Sequence, residues 1–486
     1  MFLSNFKFKK IKPWVTLVLL VTTLVISTGF YKLSINIQEL YPNFNPGLNL
    51  AYTTNLLSQN EREIRVLFYG QSITRDQWTE EVTRGLKRRF PQADIVSKNL
   101  AIGGFSSQLL VLNVERDLIN FYPDLIIFHV YGAHDKYEQI IQKMRTLTTA
   151  DIAIQTDHYA GSNSDWSRFM NQYFLPRMAE KYHCELINVR SIWQEYLSKH
   201  NYQPQELLRD NIHLNSHGNL LMSQIIKAYL VVNPQAQDIW EDRVKTYQVN
   251  RDIQWNNGQL NLEFVGNRVE AIASLFGEAE AEIFIDGKHP SEIPDLYSFT
   301  RANYDDTVDW PWDVSAPFRI NWESPLQAED WEIEILEIES TAENMLFNFK
   351  LTGSKTGFDG IGNNGEKFTS NSHRIVILPE DWWLKTVNYK VSPIKPGYQL
   401  RFSSKLLGTD IYQKPKFRGF HRESTVILAQ GLTNEKHTLT IIPRESGKVP
   451  ITAIRIYKPP LDPAKLNLEE INPEQWIEEK GKRMKN

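Results

Sequence analysis

The spacing of apolar residues divides the chain into three stretches with different periods. Trp14 to Tyr31 is apolar almost without a break and follows Lys7, Lys9, Lys10 and Lys12. From 62 to 235 the pattern switches repeatedly between short apolar runs and the 3.6-residue period of amphipathic helices. It predicts strands at 64–69, 95–100, 125–130, 152–155 and 185–189. Helices are predicted at 76–90, 106–120, 136–147, 166–182, 191–200 and 218–231. The run at 125–130 is apolar throughout, as a strand buried on both faces requires. Strands alternating with helices imply a parallel sheet with right-handed crossovers and helices on both faces.

After Val232-Asn233-Pro234 the period drops to two. Short alternating segments fall at 259–265, 268–275, 281–286, 331–338, 346–351, 374–378, 398–402, 425–428, 437–442 and 451–457. Turns such as Asp286-Gly287 separate them, so 236–460 reads as an antiparallel β-sandwich. Between Pro290 and Arg422 the expectation is extra strands and large loops of the same domain. Residues 461–486 are charged and punctuated by prolines, and read as a frayed tail. Residues 32–61 read as a polar linker.

The first stretch is long enough to span a bilayer core. Its basic flank, 1–12, belongs in the cytoplasm, which exports the rest. Ser27 and Gly29 are small residues near a possible cleavage point, but no Ala-x-Ala is present, which favours an uncleaved anchor over 13–31. The bulk of the chain is then extracytoplasmic, in the periplasm or at the cell surface. The 486 residues suggest two or three domains. A net charge of −4 argues against a general nucleic-acid binder, which needs a basic face. The single cysteine, Cys184, cannot form an intramolecular disulfide. No Cys/His cluster has zinc spacing, and no cofactor or metal is expected.

In a doubly wound sheet, reactive groups gather beyond the carboxyl ends of the strands. There the sequence places Gly70-Gln71-Ser72 after the first strand, and Asn99 with Gly103-Gly104 after the second. Tyr131-Gly132-Ala133-His134-Asp135 follows the third and Asp157-His158 the fourth. Asp210-Asn211-Ile212-His213 precedes the last helix. A serine hydroxyl needs a base before it attacks a carbonyl, and a neutral histidine oriented by a carboxylate supplies one. Three residues of spacing let one short loop present Asp210 and His213 together.

These blocks, in this order, resemble the SGNH (GDSL-like) hydrolase family over about residues 62–235. The resemblance implies a flavodoxin-like α/β/α sandwich. It implies Ser72 as nucleophile, His213 as base, Asp210 as its orienter, and the Ser72 and Gly104 amides as oxyanion donors. Two positions depart from the pattern. Gln71 stands where the Gly-Asp-Ser form has Asp. The third block is Gly132-Ala133-His134-Asp135 instead of Gly-x-Asn-Asp, so either His134 donates to the oxyanion or the hole has two backbone donors. Gln71, Asn99, Asp135, Asp157 and His158 are candidates to line the pocket. Pieces of the β-region, such as Gly266-Asn267-Arg268-Val269, resemble the jelly-roll modules that accompany some SGNH carbohydrate esterases.

The implied activity is removal of acyl groups, O-acetyl foremost, from a glycan or small ester by an exported, membrane-anchored enzyme. An acyltransferase with the same triad, or a degenerate glycan-binding or scaffolding protein, fits the same residues. Tyr297, Phe299, Tyr304, Trp310, Trp312, Trp322, Trp382 and Trp383 would stack on sugars if exposed. Burial in a core is the commoner fate of such rings. The nearby Asp305, Asp306 and Asp309 would accept sugar hydroxyl hydrogen bonds. The sequence leaves the oligomeric state open.

Overall fold

The computed structural model describes residues 35–42, 44–59, 62–302, 317–340, 345–382, 395–417 and 423–483. The expected anchor, its basic flank, Tyr304, Trp310, Trp312, Trp383, Asp305, Asp306 and Asp309 lie outside them. Among the described residues no helix is long and apolar enough to cross a membrane.

Two helices, α1 (Ile37–Leu40) and α2 (Ala51–Gln59), precede the first strand. They correct the expectation of a polar linker. Ile37, Leu40, Leu50 and Leu57 are buried in the same core as the sheet. The Gly47 and Asn49 amides donate to the Glu185 carboxylate at 2.7 and 2.9 Å.

The alternating region then runs β1 (Glu63–Gly70), α3 (Trp78–Arg89), β2 (Asp94–Asn99), α4 (Ser107–Leu110), α5 (Val114–Phe121), β3 (Leu125–His129), α6 (His134–Leu147), β4 (Asp151–Gln155), α7 (Asp165–Phe169), α8 (Leu175–Lys181), β5 (Glu185–Ile187), α9 (Val189–His200) and α10 (Ser216–Tyr229). The five strands are parallel, in the order β2-β1-β3-β4-β5. That is the doubly wound order of flavodoxin-like sheets. Alternate side chains of each strand enter different cores. Val66, Phe68, Leu125 and Ile127 pack with Trp78, Val82, Trp193 and Ile225. Leu67, Tyr69, Ile126 and Phe128 pack with Leu118, Ile140, Met144 and Met178. The sheet is thus covered on both faces.

Two predicted helices are interrupted, each for a local reason. At 106–120 the Asn113 amide bonds back to the Leu109 carbonyl at 3.4 Å and competes with the helical ladder. At 166–182 Pro176 has no amide hydrogen to donate, and a π-turn, Met170–Phe174, separates α7 from α8.

The β-region contains β6 (Val244–Gln248), β7 (Trp255–Asn256), β8 (Gln259–Val265), β9 (Arg268–Ala273), β10 (Ala281–Ile285), β11 (Tyr297–Phe299), β12 (Glu329–Ser340), β13 (Met345–Gly353), β14 (Gly357–Asn363), β15 (Phe368–Thr369), β16 (Val376–Ile377), β17 (Gln399–Leu406), β18 (Ile411–Tyr412), β19 (Thr425–Gln430), β20 (Lys436–Pro443) and β21 (Ile451–Tyr457). Sheets β18-β10-β20-β8-β7 and β19-β9-β21-β6 enclose one core, with Leu262, Ile283 and Ile441 from the first and Val269, Leu428 and Ile454 from the second. This is an antiparallel sandwich.

Between β10 and β18 the chain builds a further sheet, β11-β17-β12-β13-β14. It has its own core of Trp331, Ile333, Phe347, Phe349, Leu400 and Phe402. The insertion is therefore a second cored unit, where extra strands and large loops of the same sandwich domain were expected. Tyr297, Phe299 and Trp382 are buried in that core and Trp322 packs against it, so these rings are structural.

The tail expectation is also corrected. Leu461, Leu466, Ile471, Trp476 and Ile477 pack on the α/β core, and α11 (Pro473–Arg483) closes the chain. The Trp476 ring lies 5.7 Å from those of Phe169 and Tyr173. Apolar residues set among the charges account for the docking.

Polar ties join the inserted unit and the sandwich to the α/β part. Arg301 Nε donates to Asp117 at 3.0 Å and its Nη2 to the Leu100 carbonyl at 2.8 Å. Arg116 donates to the Phe318 carbonyl at 2.8 Å. Arg243 pairs with Asp151 at 2.9 Å, both side chains buried. The Tyr122 hydroxyl donates to Asn267 at 2.6 Å.

Candidate active site

β1 delivers the chain to the carboxyl rim, and Ser72 opens a single 3-10 turn, Ser72–Arg75. The Gln71 carbonyl accepts the Thr74 and Arg75 amides at 2.9 and 3.2 Å. Gln71 itself is buried at the start of the turn. Trp78 Nε1 donates to the Ile73 carbonyl at 2.7 Å, and Asn219 of α10 accepts the Trp78 amide at 3.0 Å. The serine turn is thereby tied to the helix that follows the histidine loop.

That loop brings its side chains to Ser72. His213 Nε2 lies 3.0 Å from Ser72 Oγ, and His213 Nδ1 lies 2.8 Å from Asp210 Oδ2. Asp210 Oδ1 accepts the Ile212 and His213 amides at 2.8 and 2.7 Å. The backbone amides of His213 and Ile212, assisted by the imidazole, hold the Asp210 carboxyl down at about 2. It is an anion at neutral pH although its side chain is 51% exposed. Nδ1 therefore carries the hydrogen, and the Nε2 lone pair faces the serine hydroxyl. At the base of the loop the Arg209 amide donates to the His213 carbonyl at 2.8 Å. Asp76, beside the serine turn, pairs with Arg209 at 2.9 Å and accepts the Leu214 amide at 3.4 Å.

Gly104 follows β2 with φ +76°, a backbone region that side chains disfavour. Its neighbour Gly103 runs alongside Ser72, since a Cβ built there would lie 3.9 Å from Ser72 Cβ. Among the described residues neither the Ser72 nor the Gly104 amide is taken up by a backbone hydrogen bond. Both remain free to donate.

The other candidates do different work. His134 begins α6, and its ring meets those of Phe174, Phe169 and Trp166 at 5.5, 5.7 and 6.0 Å. The structure places it in an aromatic cluster, with no hydrogen bond to the serine loop among the described residues. Asn99 is a strut: its Nδ2 donates to the Thr74 carbonyl at 2.7 Å and its Oδ1 accepts the Ala101 amide at 3.1 Å. Asp135 sits in the first turn of α6, 3.6 Å from Lys136. Asp157 accepts from His129 at 3.1 Å and from Asn171 at 2.8 Å. Burial pushes its carboxyl up, but these bonds outweigh it and leave it below the ordinary range. His158 Nε2 bonds the Ile212 carbonyl at 2.8 Å. Asp76, Asn219 and this bond of His158 carry no sequence motif. Only proximity in space reveals them.

A cleft of about 1060 Å³ lies between α5 and the inserted sheet, lined by Lys98, Asn120, Arg301, Tyr398 and Arg401 among others, and contains none of Ser72, Asp210 and His213. Among the described residues no group of three or more His, Cys, Asp or Glu is arranged to hold a metal.

No protein-family model matches the chain, and no curated protein matches it. Among solved structures it is similar to a two-domain esterase active on acetylated mannans, co-crystallised with mannopentaose, at 15% identity over 84% of this chain and 95% of that one, with a TM-score of 0.35. It is also similar to an acetyl xylan esterase, AlAXEase (22% identity, 35% of this chain, all of that one, TM-score 0.31). A third is Axe2, an acetylxylan esterase from Geobacillus stearothermophilus (18% identity, 37% and 99% covered, TM-score 0.32). At that depth of likeness the chemistry has to be read from the residues.

Proposed function

We propose that the chain is a serine ester hydrolase of SGNH type that removes small acyl groups, O-acetyl foremost, from a glycan. One observation carries it: a hydroxyl, an imidazole and a carboxylate stand in line at 3.0 and 2.8 Å on the rim where a parallel sheet exposes its reactive groups. Ser72 Oγ attacks the ester carbonyl as its proton passes to His213 Nε2. Asp210 holds Nδ1–H and stabilises the imidazolium. The Ser72 and Gly104 amides bind the oxyanion as a two-donor hole. His213 returns the proton to the leaving alkoxide. Water, deprotonated by the same imidazole, then attacks the acyl-serine and releases the acid. The glycan substrate is inferred from the expected export by the segment at 13–31 and from the resemblance of the β-region to jelly-roll modules of carbohydrate esterases.

The test compares the full chain in detergent with Ser72→Ala on p-nitrophenyl acetate, alongside labelling by a fluorophosphonate probe. Turnover and labelling are expected to disappear together in the variant. Equal turnover by both proteins would remove the hydrolase reading. Acetyl delivered to an added oligosaccharide without net hydrolysis would convert it to a transferase.

A further inference from the structure

β4 ends at Gln155 and the chain continues Thr156-Asp157-His158. His158 is 2% exposed, and its ring lies 5.4 Å from that of Trp193. Its Nε2 is 2.8 Å from the Ile212 carbonyl oxygen. A carbonyl only accepts, so Nε2 carries the hydrogen and Nδ1 the lone pair. Among the described residues Nδ1 is buried without a protein partner. A buried imidazole with one nitrogen unused is a poor way to fill space alone, because an alkyl side chain there would bury no unpaired nitrogen. Among the described residues, the one hydrogen bond the ring makes goes to the loop that carries His213.

The position of that bond gives it meaning. Ile212 is 49% exposed, and the carbonyl His158 holds belongs to the same peptide unit as the His213 amide. That amide donates to Asp210 at 2.7 Å. The peptide plane leading into His213 is therefore fixed at both ends. Asp210, which holds one end, lies on the exposed loop. His158, which holds the other, is rooted in the sheet. The ties from Arg209 and Asp76 act only at the base of the loop. The root is itself braced. Asp157 exchanges two hydrogen bonds with Asn171 of the π-turn, its amide to Asn171 Oδ1 at 2.6 Å and Asn171 Nδ2 to its carboxylate at 2.8 Å. Arg190 donates to the His158 carbonyl at 3.2 Å.

We propose that His158 is a positioning residue, which fixes the Ile212–His213 peptide plane and so sets the approach of the imidazole to Ser72. The proposal rests on the serine-esterase reading of Ser72, His213 and Asp210. Geometry supplies a selective test. A glutamine amide nitrogen stands three bonds from Cβ, as histidine Nε2 does, whereas an asparagine amide nitrogen stands two bonds away. His158→Leu and His158→Asn should lower kcat on p-nitrophenyl acetate by about 10–100-fold, the scale of a small misplacement of a reacting group, with KM little changed. His158→Gln should restore most of the rate. Hydrogen exchange at the amides of 209–214, followed by mass spectrometry, should quicken in the leucine and asparagine variants and not in the glutamine one. Melting temperatures identify any variant that fails to fold. If leucine fails, the glutamine–asparagine pair decides. Equal rates and equal exchange for that pair, or an unchanged rate in a folded leucine variant, overturn the proposal. Ser72→Ala is assayed in parallel. If it keeps activity, the esterase reading falls, while the exchange data still decide whether His158 clamps the loop.

Discussion

Replacing Asp210 with asparagine isolates what the carboxylate does for His213. Asparagine has one acceptor oxygen where aspartate has two. The Ile212 and His213 amides both point at Oδ1, at 2.8 and 2.7 Å, so the asparagine oxygen settles there and the backbone stays satisfied. Its amide nitrogen then faces His213 Nδ1, now 2.8 Å from Oδ2. Two N–H groups cannot share that contact. The imidazole must shift its hydrogen to Nε2, and the atom facing Ser72 Oγ changes from base to donor. The lost charge adds to this, because opposite charges about 4 Å apart attract by ~1 kcal/mol in water and ~4 kcal/mol near a protein surface. Asp210 is half exposed, so about 2–3 kcal/mol applies, or roughly 10²-fold in rate. The same substitution at a buried triad carboxylate costs ~10⁴ in a serine protease. A kcat loss of about 10²–10³ between these limits is expected here. The assay is initial-rate hydrolysis of p-nitrophenyl acetate, with a thermal melt as the control for folding. A folded variant within about threefold of the parent, under 1 kcal/mol in barrier, would refute the assignment of Asp210 as the orienter.

Two further expectations concern stability. Arg301→Ala removes the cation that bridges the inserted unit to Asp117, whose side chain is 4% exposed. Arg116 at 3.5 Å and the Tyr69 hydroxyl at 3.1 Å remain, so the loss should be about 3 kcal/mol, at the low end for a broken buried pair. Denaturant titration checks it, and no change in midpoint would show that Arg301 does not join the units. His158 has its pKa lowered to about 4, by burial first and then by His129, against the attraction of Asp157 and the Ile212 carbonyl; Arg190 also lowers it. Its folded value lies below the unfolded one of about 6.5, so the unfolded chain binds the extra proton. Stability should therefore fall as pH drops from about 6.5 to about 4, by ~3 kcal/mol from this residue, and no further below that window. Unfolding free energies across that range should lose this component of slope in His158→Gln.

The parallel sheet was readable because buried strands leave apolar runs and their helices keep a strict period. The residues that meet at the candidate site were readable because Ser72, Asp210 and His213 sit at strand or helix ends, where short motifs survive. What sequence could not show was where side chains point after a turn. His134 and Asp135 fill the slot of an oxyanion block, yet the first helical turn of α6 carries the imidazole toward Phe169 and Phe174. Asn99 reads as a pocket residue by position, but its amide is used up in bracing the Thr74 carbonyl. Composition also misled at the ends. Polar averages over 32–61 and 461–486 hid Leu50, Leu57, Ile471 and Trp476, whose few apolar contacts suffice to dock those segments on a core built elsewhere. The inserted sheet was not told apart from the sandwich for a related reason: its strands alternate like those of the sandwich, and only the separation of their buried faces into two cores shows that they are different layers. Periodicity reports which side of an element is buried. It does not report against what, and the roles of His134, Asn99 and Trp476 each turn on that second fact.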